Sequence, residues 1–213
     1  MKKVKQVKGP LISHFTGIIR NKETEKNEFA AAIENIVYLM SNEITGDVKI
    51  KPIKVLTPIA EADVAYFFDK ILLIPVLRAG MAMFEPMRRI LPLSTSGYIG
   101  IKRVDDGENF AADMYYCNLP PNLPEFKVFI LDVVVATGSS IDFVVKHLIS
   151  QGVSPENINL ISIISSKKGL ENLSEEFPDI NIYTCEIDEV LNEKGYIVPG
   201  LGDAGNRYNG YDS

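Results

Sequence analysis

Several things are scarce in this sequence, and each scarcity removes a class of function. There are two cysteines in 213 residues. Cys117 and Cys185 are far apart and belong to no Cys-x-x-Cys or Cys/His cluster. That pattern offers no metal cluster or disulfide framework, and reduced thiols in a cytoplasmic protein are expected. No apolar stretch reaches membrane-spanning length, and no signal-peptide core follows the basic start at Lys2, Lys3, Lys5 and Lys8. No membrane role is expected. Positive charge is in deficit, 22 Lys and Arg against 28 Asp and Glu, for a net charge of −6 and a pI near 5.1. An acidic chain without a basic stripe is a poor nucleic-acid binder, so no nucleic-acid partner is expected. Internal repeats and low-complexity tracts are missing too.

What remains is ordinary globular composition, 46% hydrophobic and 23% charged, long enough for one domain or a domain with an appendage. The chain is organised around Val128–Ser140. Val128 to Leu131 is apolar, β-branched and aromatic, as in a strand buried on both faces. Asp132 places a carboxylate at the strand end. Ala136-Thr137-Gly138-Ser139-Ser140 are small and rich in hydroxyls, and Ile141, Val144, Val145 and Leu148 then mark one helical face. A strand, a small hydroxylic turn and a helix hold phosphate well, because unpaired N–H groups and the positive helix end point at the ligand. No Gly-Lys-Ser/Thr follows, so this is not a Walker A loop. An acid directly before such a loop suits a sugar diol, since a carboxylate accepts from two neighbouring hydroxyls. An ordinary turn capped by Thr137 or Ser139 is the alternative.

The rest of the chain reads in order. Residues 1–20 form an arm that packs on a partner subunit or straps its own chain. A helix is predicted from about Thr24 to Glu43, broken by Gly46-Asp47. Val48–Val55, with Pro52 inside it, reads as an edge or bulged strand. Lys70–Leu77 is a buried strand, and Arg78-Ala79-Gly80 turns into a helix carrying Met81, Phe84, Met87 and Ile90. Gly97–Val104 and Asp113–Leu119 look like the arms of a hairpin around the polar turn Asp105–Asn109. Ile158–Ser165 is a strand, Ser166–Phe177 a helix, and Ile182–Ile187 a last strand. Beyond Asp188 the chain turns glycine-rich. Alternating strands and helices predict an α/β fold, a mostly parallel sheet flanked by helices, with a β-hairpin arm. Ligands in such folds sit at the carboxyl ends of the strands, a rim shared by Arg78, Asp132 and the Ala136–Ser140 loop.

These residues carry a resemblance. Asp132 with Ala136–Ser140 is similar to the phosphoribosyl pyrophosphate loop of type I phosphoribosyltransferases. Leu77-Arg78-Ala79-Gly80 upstream and Tyr196-Ile197-Val198-Pro199-Gly200-Leu201-Gly202-Asp203-Ala204-Gly205 downstream narrow the likeness to the uracil phosphoribosyltransferase family, over nearly the whole chain. The resemblance implies transfer of a 5-phosphoribosyl group from phosphoribosyl pyrophosphate to uracil N1, giving UMP and pyrophosphate with Mg²⁺ assistance. It implies one domain over 1–213, with a hairpin lid at about 97–119 and a uracil-binding segment at about 188–213.

Carried over by position, the phosphoribosyl pyrophosphate site takes Arg78, Arg103, Asp132, Val133, Val134, Val135, Ala136, Thr137, Gly138, Ser139 and Ser140. Asp132 would hold the ribose hydroxyls, and the arginines would offer planar donor forks to diphosphate oxygens. A solvated surface charge is the alternative for each arginine. Backbone groups of Ile197, Gly202 and Ala204 would read uracil, while Asp203 would touch phosphoribosyl pyrophosphate or its Mg²⁺. The resemblance also places a non-proline cis peptide at Leu77–Arg78 and implies a homodimer or homotetramer. GTP activates part of that family, so a GTP effector is a further implication, which no residue here decides.

Departures stand beside the likeness. Val133, Val134, Val135 and Ser139 replace the usual Pro-Met-Leu and second glycine, Asn206 replaces the acid before Arg207, and Val104 separates Arg103 from Asp105. Two other functions fit a chain of this kind. One is a regulator of RNA or DNA on the same fold, which the acidic balance opposes. The other is a transferase for another base, which the Ile197–Ala204 match opposes. His14 and His147 lie outside every motif, and His147 sits beside the apolar face of the central helix as a packing residue.

Overall fold

A computed structural model describes the backbone of residues 3–105 and 110–211, and the side chains of these except 103–105 and 110–112. The predicted Asp105–Asn109 turn falls mostly outside the described residues. After an edge strand, β1 (Val4–Gln6), Pro10 opens α1 (Pro10–Arg20) at a position where no intrahelical N–H is needed. α2 (Lys26–Ile44) buries Phe29, Ile33, Ile36, Val37, Met40 and Ile44, the stripe its spacing marks. β2 (Ile50–Leu56) and β3 (Glu61–Phe67) pair antiparallel with each other. β4 (Lys70–Leu77) leads to α3 (Met81–Ile90), then β5 (Thr95–Ser96), β6 (Tyr98–Asp105) and β7 (Phe110–Asn118). The central unit is β8 (Phe126–Leu131), β9 (Val134–Val135) and α4 (Ser139–Ser150). β10 (Ile158–Ile161), β11 (Ile164–Ser166) and α5 (Lys167–Glu176) follow. The chain ends through β12 (Asn181–Thr184), β13 (Glu186–Asp188), β14 (Val190–Leu191), β15 (Ile197–Val198) and α6 (Ala204–Asn209).

The main sheet runs β1-β12-β10-β8-β4-β6-β7 with β5 beside β4. Its ladders are parallel apart from the β6–β7 hairpin. Successive side chains of β4 go to opposite faces. Ile71 and Leu73 join Phe129, Leu131 and the helices α1 to α3 in one core. Leu72, Ile74 and Val76 join Val128, Ile130 and the helices α4 and α5 in the other. Burial on both faces explains why these strands read as unbroken apolar runs.

Three features sharpen the expectations, the first by correction and the other two by choosing between stated alternatives. Ile158–Ser165 and Ile182–Ile187 are each two strands, because β8, β10 and β12 all stop and resume as a small parallel sheet, β13-β11-β9. At the break, Ile163 and Ile164 N–H both donate to the Val133 carbonyl, at 3.1 and 3.1 Å, and Cys185 and Glu186 N–H both donate to that of Ile163, at 3.1 and 2.9 Å. Two donors on one carbonyl offset a ladder as a bulge does. The residues on both sides of this crease are mostly buried, and a single polar residue such as Asp132, Ser162 or Thr184 does not by itself mark a strand break. Next, Val48–Val55 is not bulged: its strand starts at Ile50, and Pro52 sits opposite Ala65 in continuous register with β3, which the mixed pattern of Glu61–Phe67 had concealed. The arm, finally, straps its own chain, as Val4–Gln6 extends the sheet along Ile182–Thr184.

Candidate active site

β4 and β8 are neighbours, so their carboxyl ends deliver Arg78 and Asp132 to one rim, and a cavity of about 550 Å³ opens there. Arg78, Asp132, Val134, Ala136 and Ser140 line one side of it. Ile197, Gly202, Asp203 and Ala204 line the other, so the cavity joins residues from both ends of the resemblance. A smaller hollow continues along Val135, Thr137, Gly138 and Ser139.

The loop between β9 and α4 is a turn of small residues that lines this hollow. Gly138 has φ 86°, a left-handed conformation that a side chain disfavours, and it forms the N-cap of α4. Gly138 itself offers no side-chain cap, and the Thr137 hydroxyl accepts from the Ser139 N–H at 3.4 Å, a long contact that leaves part of the capped-turn alternative in place. The Thr137 and Ser139 hydroxyls lie 2.9 Å apart. Ser139, which departs from the family's glycine, is the first residue of α4, and among non-glycine described residues only Asn122 has positive φ. A side chain at 139 therefore costs no backbone strain.

The glycine-rich segment is tied to the first two helices by charged side chains. Asp188, buried at the end of β13, takes Arg20 through two hydrogen bonds of 2.8 and 2.8 Å and accepts from Gly200 N–H at 3.0 Å. Arg20 also donates to the Gly200 carbonyl at 2.8 Å. Arg207 donates to the carbonyls of Ile19, Leu201 and Asn21 and lies over the Phe29 ring, and burial lowers its pKa. Asp203 caps α6 by accepting from Asn206 N–H at 2.8 Å. The Arg20–Asp188 pair was not foreseen. An acid ending an apolar strand is a signal that a cation lies nearby, but it does not say which one.

Other predicted residues are placed as follows. Arg78 is exposed, donates to Asn206 Oδ1 at 3.2 Å, and lies 5.2 Å from the Tyr211 ring centre. The Leu77–Arg78 peptide is cis, as the resemblance implied. Val133 does not join the others: its side chain is fully buried in the core beneath the loop and lines neither hollow. The Arg103 side chain lies outside the described residues. His147 is partly buried on α4, 3.7 Å from Cys117 Sγ, and is away from the cavity. Lys102 and Tyr115 of the β6–β7 hairpin and Tyr196 of the tail also line the cavity and were missed. Their signal was faint, since hairpin residues alternate between faces and only the folded register shows which face meets the site.

Among the described residues, no group of three or more His, Cys, Asp or Glu side chains could hold a metal ion. Asp132 and Asp203 nonetheless bring carboxylates to one cavity. Mg²⁺ is a hard cation that commonly takes one or two carboxylates plus substrate phosphates and water. The donor set fits such a shared ion. No helix among the described residues is long and apolar enough to cross a membrane.

The family model described as Uracil phosphoribosyltransferase matches residues 6–210. This chain belongs to the uracil phosphoribosyltransferase family. The uracil phosphoribosyltransferase of Campylobacter concisus is 41% identical over 207 residues, covering 97% of this chain and 98% of that one. That of Clostridium novyi is 38% identical over 208 residues, with coverage of 97% and 98%. A solved structure of a protein from Aquifex aeolicus superposes with a TM-score of 0.88 at 28% identity, over 96% of this chain and 97% of that one. An adenine phosphoribosyl transferase from Trypanosoma brucei, at 11% identity, a TM-score of 0.60 and coverage of 92% and 88%, shares the fold alone. The fold of this uracil phosphoribosyltransferase family member is the type I phosphoribosyltransferase fold.

Proposed function

We propose that the chain transfers the 5-phosphoribosyl group of phosphoribosyl pyrophosphate to uracil N1, giving UMP and pyrophosphate. The observation that carries this reading is the single cavity in which the Asp132–Ser140 loop faces the backbone of Ile197–Ala204. A bond forms between uracil N1 and the sugar's C1′ as the bond from C1′ to the diphosphate oxygen breaks, and the N1 proton passes to the released pyrophosphate or to water. Three demands follow: a 5′-phosphate anchor, a diol anchor and relief of charge on the leaving group.

Thr137 to Ser140 answer the first with backbone N–H and hydroxyl donors at the start of α4. Asp132 answers the second, accepting from the ribose hydroxyls as positive charge develops on the sugar. Arg78 answers the third, with Arg103 from the hairpin of about 97–119, which would close over the site as a lid. The base lies on the 188–213 segment, where the Ile197, Gly202 and Ala204 backbone matches uracil's acceptor, donor and acceptor edge. Mg²⁺ bound by phosphoribosyl pyrophosphate with Asp203, and with Asp132 in reach, would neutralise charge on the departing diphosphate.

The same reading takes the chain as one domain over 1–213 that works in the cytoplasm as a homodimer or homotetramer. Exposed Leu56, Ile59, Tyr66 and Phe68 around the β2–β3 hairpin support an assembly that covers them. A GTP effector belongs to the reading as a family trait without a residue assigned to it.

The deciding experiment mixes protein, uracil, phosphoribosyl pyrophosphate and Mg²⁺ and analyses the products. UMP with equimolar pyrophosphate is expected. A salt-dependent shift of RNA or DNA without UMP would reverse the reading.

A further inference from the structure

Helix α5 lies against the phosphate loop and grips two consecutive carbonyls. Ser166, the N-cap of α5, accepts from Gly169 N–H at 2.8 Å and donates to the Ala136 carbonyl at 2.5 Å. Asn172 Nδ2 donates to the Thr137 carbonyl at 3.1 Å. The approach is as close as backbones allow: a Cβ on Gly169 would lie 2.2 Å from the Ala136 oxygen. Leu173 fills the space beneath Gly138, 3.1 Å from where a Cβ there would stand.

Peptide geometry turns these ties into a statement about the ligand side. In a trans peptide the C=O and N–H point in opposite directions, and both peptides are trans. Drawing the Ala136 carbonyl toward α5 therefore turns the Thr137 N–H away from it. Drawing the Thr137 carbonyl the same way turns the Gly138 N–H away. Both N–H groups are thus aimed to the side opposite α5 by ties within the protein. A loop of small residues has many backbone conformations to lose, and one ordered beforehand loses less on binding.

We propose that Asn172, with Ser166, is a positioning residue for the 5′-phosphate of phosphoribosyl pyrophosphate: it touches no substrate and sets the direction of the loop amides that do. The proposal rests on the phosphoribosyl pyrophosphate reading of the loop. Asn172 is the better of the two to change, since it is only partly buried whereas Ser166 is fully buried.

Asn172→Asp keeps the shape but replaces the donor with an oxygen that repels the Thr137 carbonyl, and Asn172→Ala only removes the donor. For Asn172→Asp, KM for phosphoribosyl pyrophosphate should rise roughly tenfold, the scale of one lost and reversed hydrogen bond. KM for uracil and Tm should stay near wild type. Ribose 5-phosphate affinity, measured by calorimetry, should fall in step, and Asn172→Ala should show a smaller loss in the same direction. Should the aspartate variant fail to fold, the alanine variant carries the test. An unchanged phosphoribosyl pyrophosphate KM and ribose 5-phosphate affinity would overturn the proposal. So would a drop in Tm and kcat with both constants unchanged, the mark of a merely structural contact. If wild-type protein makes no UMP yet binds ribose 5-phosphate more tightly than the variants, the proposed reaction fails and the positioning role stands.

Discussion

The two walls of the cavity, proposed above to receive the phosphate and the base, are built by different means. The phosphate wall is the sheet itself, as Val133, Val135 and Ile141 are sunk in the core and the loop between them has its carbonyls taken by α5. The base wall is a two-stranded ribbon and a six-residue helix, too short to order themselves, held to α1 and α2 by Arg20, Asp188 and Arg207. The phosphate wall is part of the α/β scaffold itself, while the base wall is an attachment held by a few charged ties. This suits the two recognition tasks. A phosphate accepts donors from many directions, whereas a planar base read by backbone needs that backbone held in one place.

The sharpest way to probe the base wall is to change the base. Cytosine presents a donor where uracil has the O4 acceptor, and an acceptor where uracil has N3–H. Backbone groups cannot exchange roles, so kcat/KM for uracil should exceed that for cytosine by about 10⁴ or more. Thymine keeps all three hydrogen-bonding groups, and only the room at C5 decides it. Comparable kcat/KM values for cytosine and uracil would remove Ile197, Gly202 and Ala204 from base reading.

On the phosphate wall the largest single loss should follow Asp132→Asn. It sits at the end of a buried strand, so the fold should survive while turnover falls by roughly two to three decades, the scale for a lost transition-state contact. Near-normal turnover with either substrate saturating would take Asp132 out of the chemistry.

Arg20→Ala tests whether the base wall is separately anchored. The ion pair is largely buried, with Asp188 9% and Arg20 23% exposed at the side chain. Removing one partner should cost about 2–3 kcal/mol, a fall in Tm of roughly 5–10 °C. KM for uracil should rise well above wild type while ribose 5-phosphate affinity changes little. Equal losses on both sides would show that the walls are one mechanical unit.

The smallest effect is alkaline, and it should arise in the sheet beneath the phosphate wall. Burial pushes the Cys185 thiol up from 9.0 to about 12 and, with Asp47 adding to it, the Tyr183 hydroxyl up from 10.0 to about 12. The unfolded chain therefore gives up these protons first. The stability they contribute is intact below pH 9 and is lost as pH rises from there to about 12. At pH 9.5 the loss should be about 1 kcal/mol, read as a lower urea midpoint than at pH 8. Cys185→Ala should remove most of that early decline, and an unchanged decline in this variant would place its origin elsewhere.

The sequence made legible whatever is carried by neighbours in the chain. β4 spans the predicted Lys70–Leu77, and α4 starts two residues before its first marked apolar position, because buried strands and amphipathic helices write their period locally. The loop, its acid and the tail were visible as motifs. What stayed hidden depends on partners far along the chain. Nothing near Asp188 names Arg20, and nothing near Thr137 names Asn172. The crease at Asp132-Val133, Ser162-Ile163 and Cys185 is a matter of shared carbonyls among residues that are mostly buried. Val133 is instructive: it stands next to the loop in sequence, while the crease turns its side chain into the core.

The pairing of Val4 with Ile182, and of Arg20 with Asp188, has a consequence for how the protein is born. A ribosome releases the amino end first, so β1 and α1 wait for partners made long after them. Contacts so distant in sequence form slowly, since a long loop must close before they contribute. The base wall is then the final part of the nascent chain to settle. A chain stopped before Asp188 would have the proposed phosphate loop but not the segment proposed to receive the base.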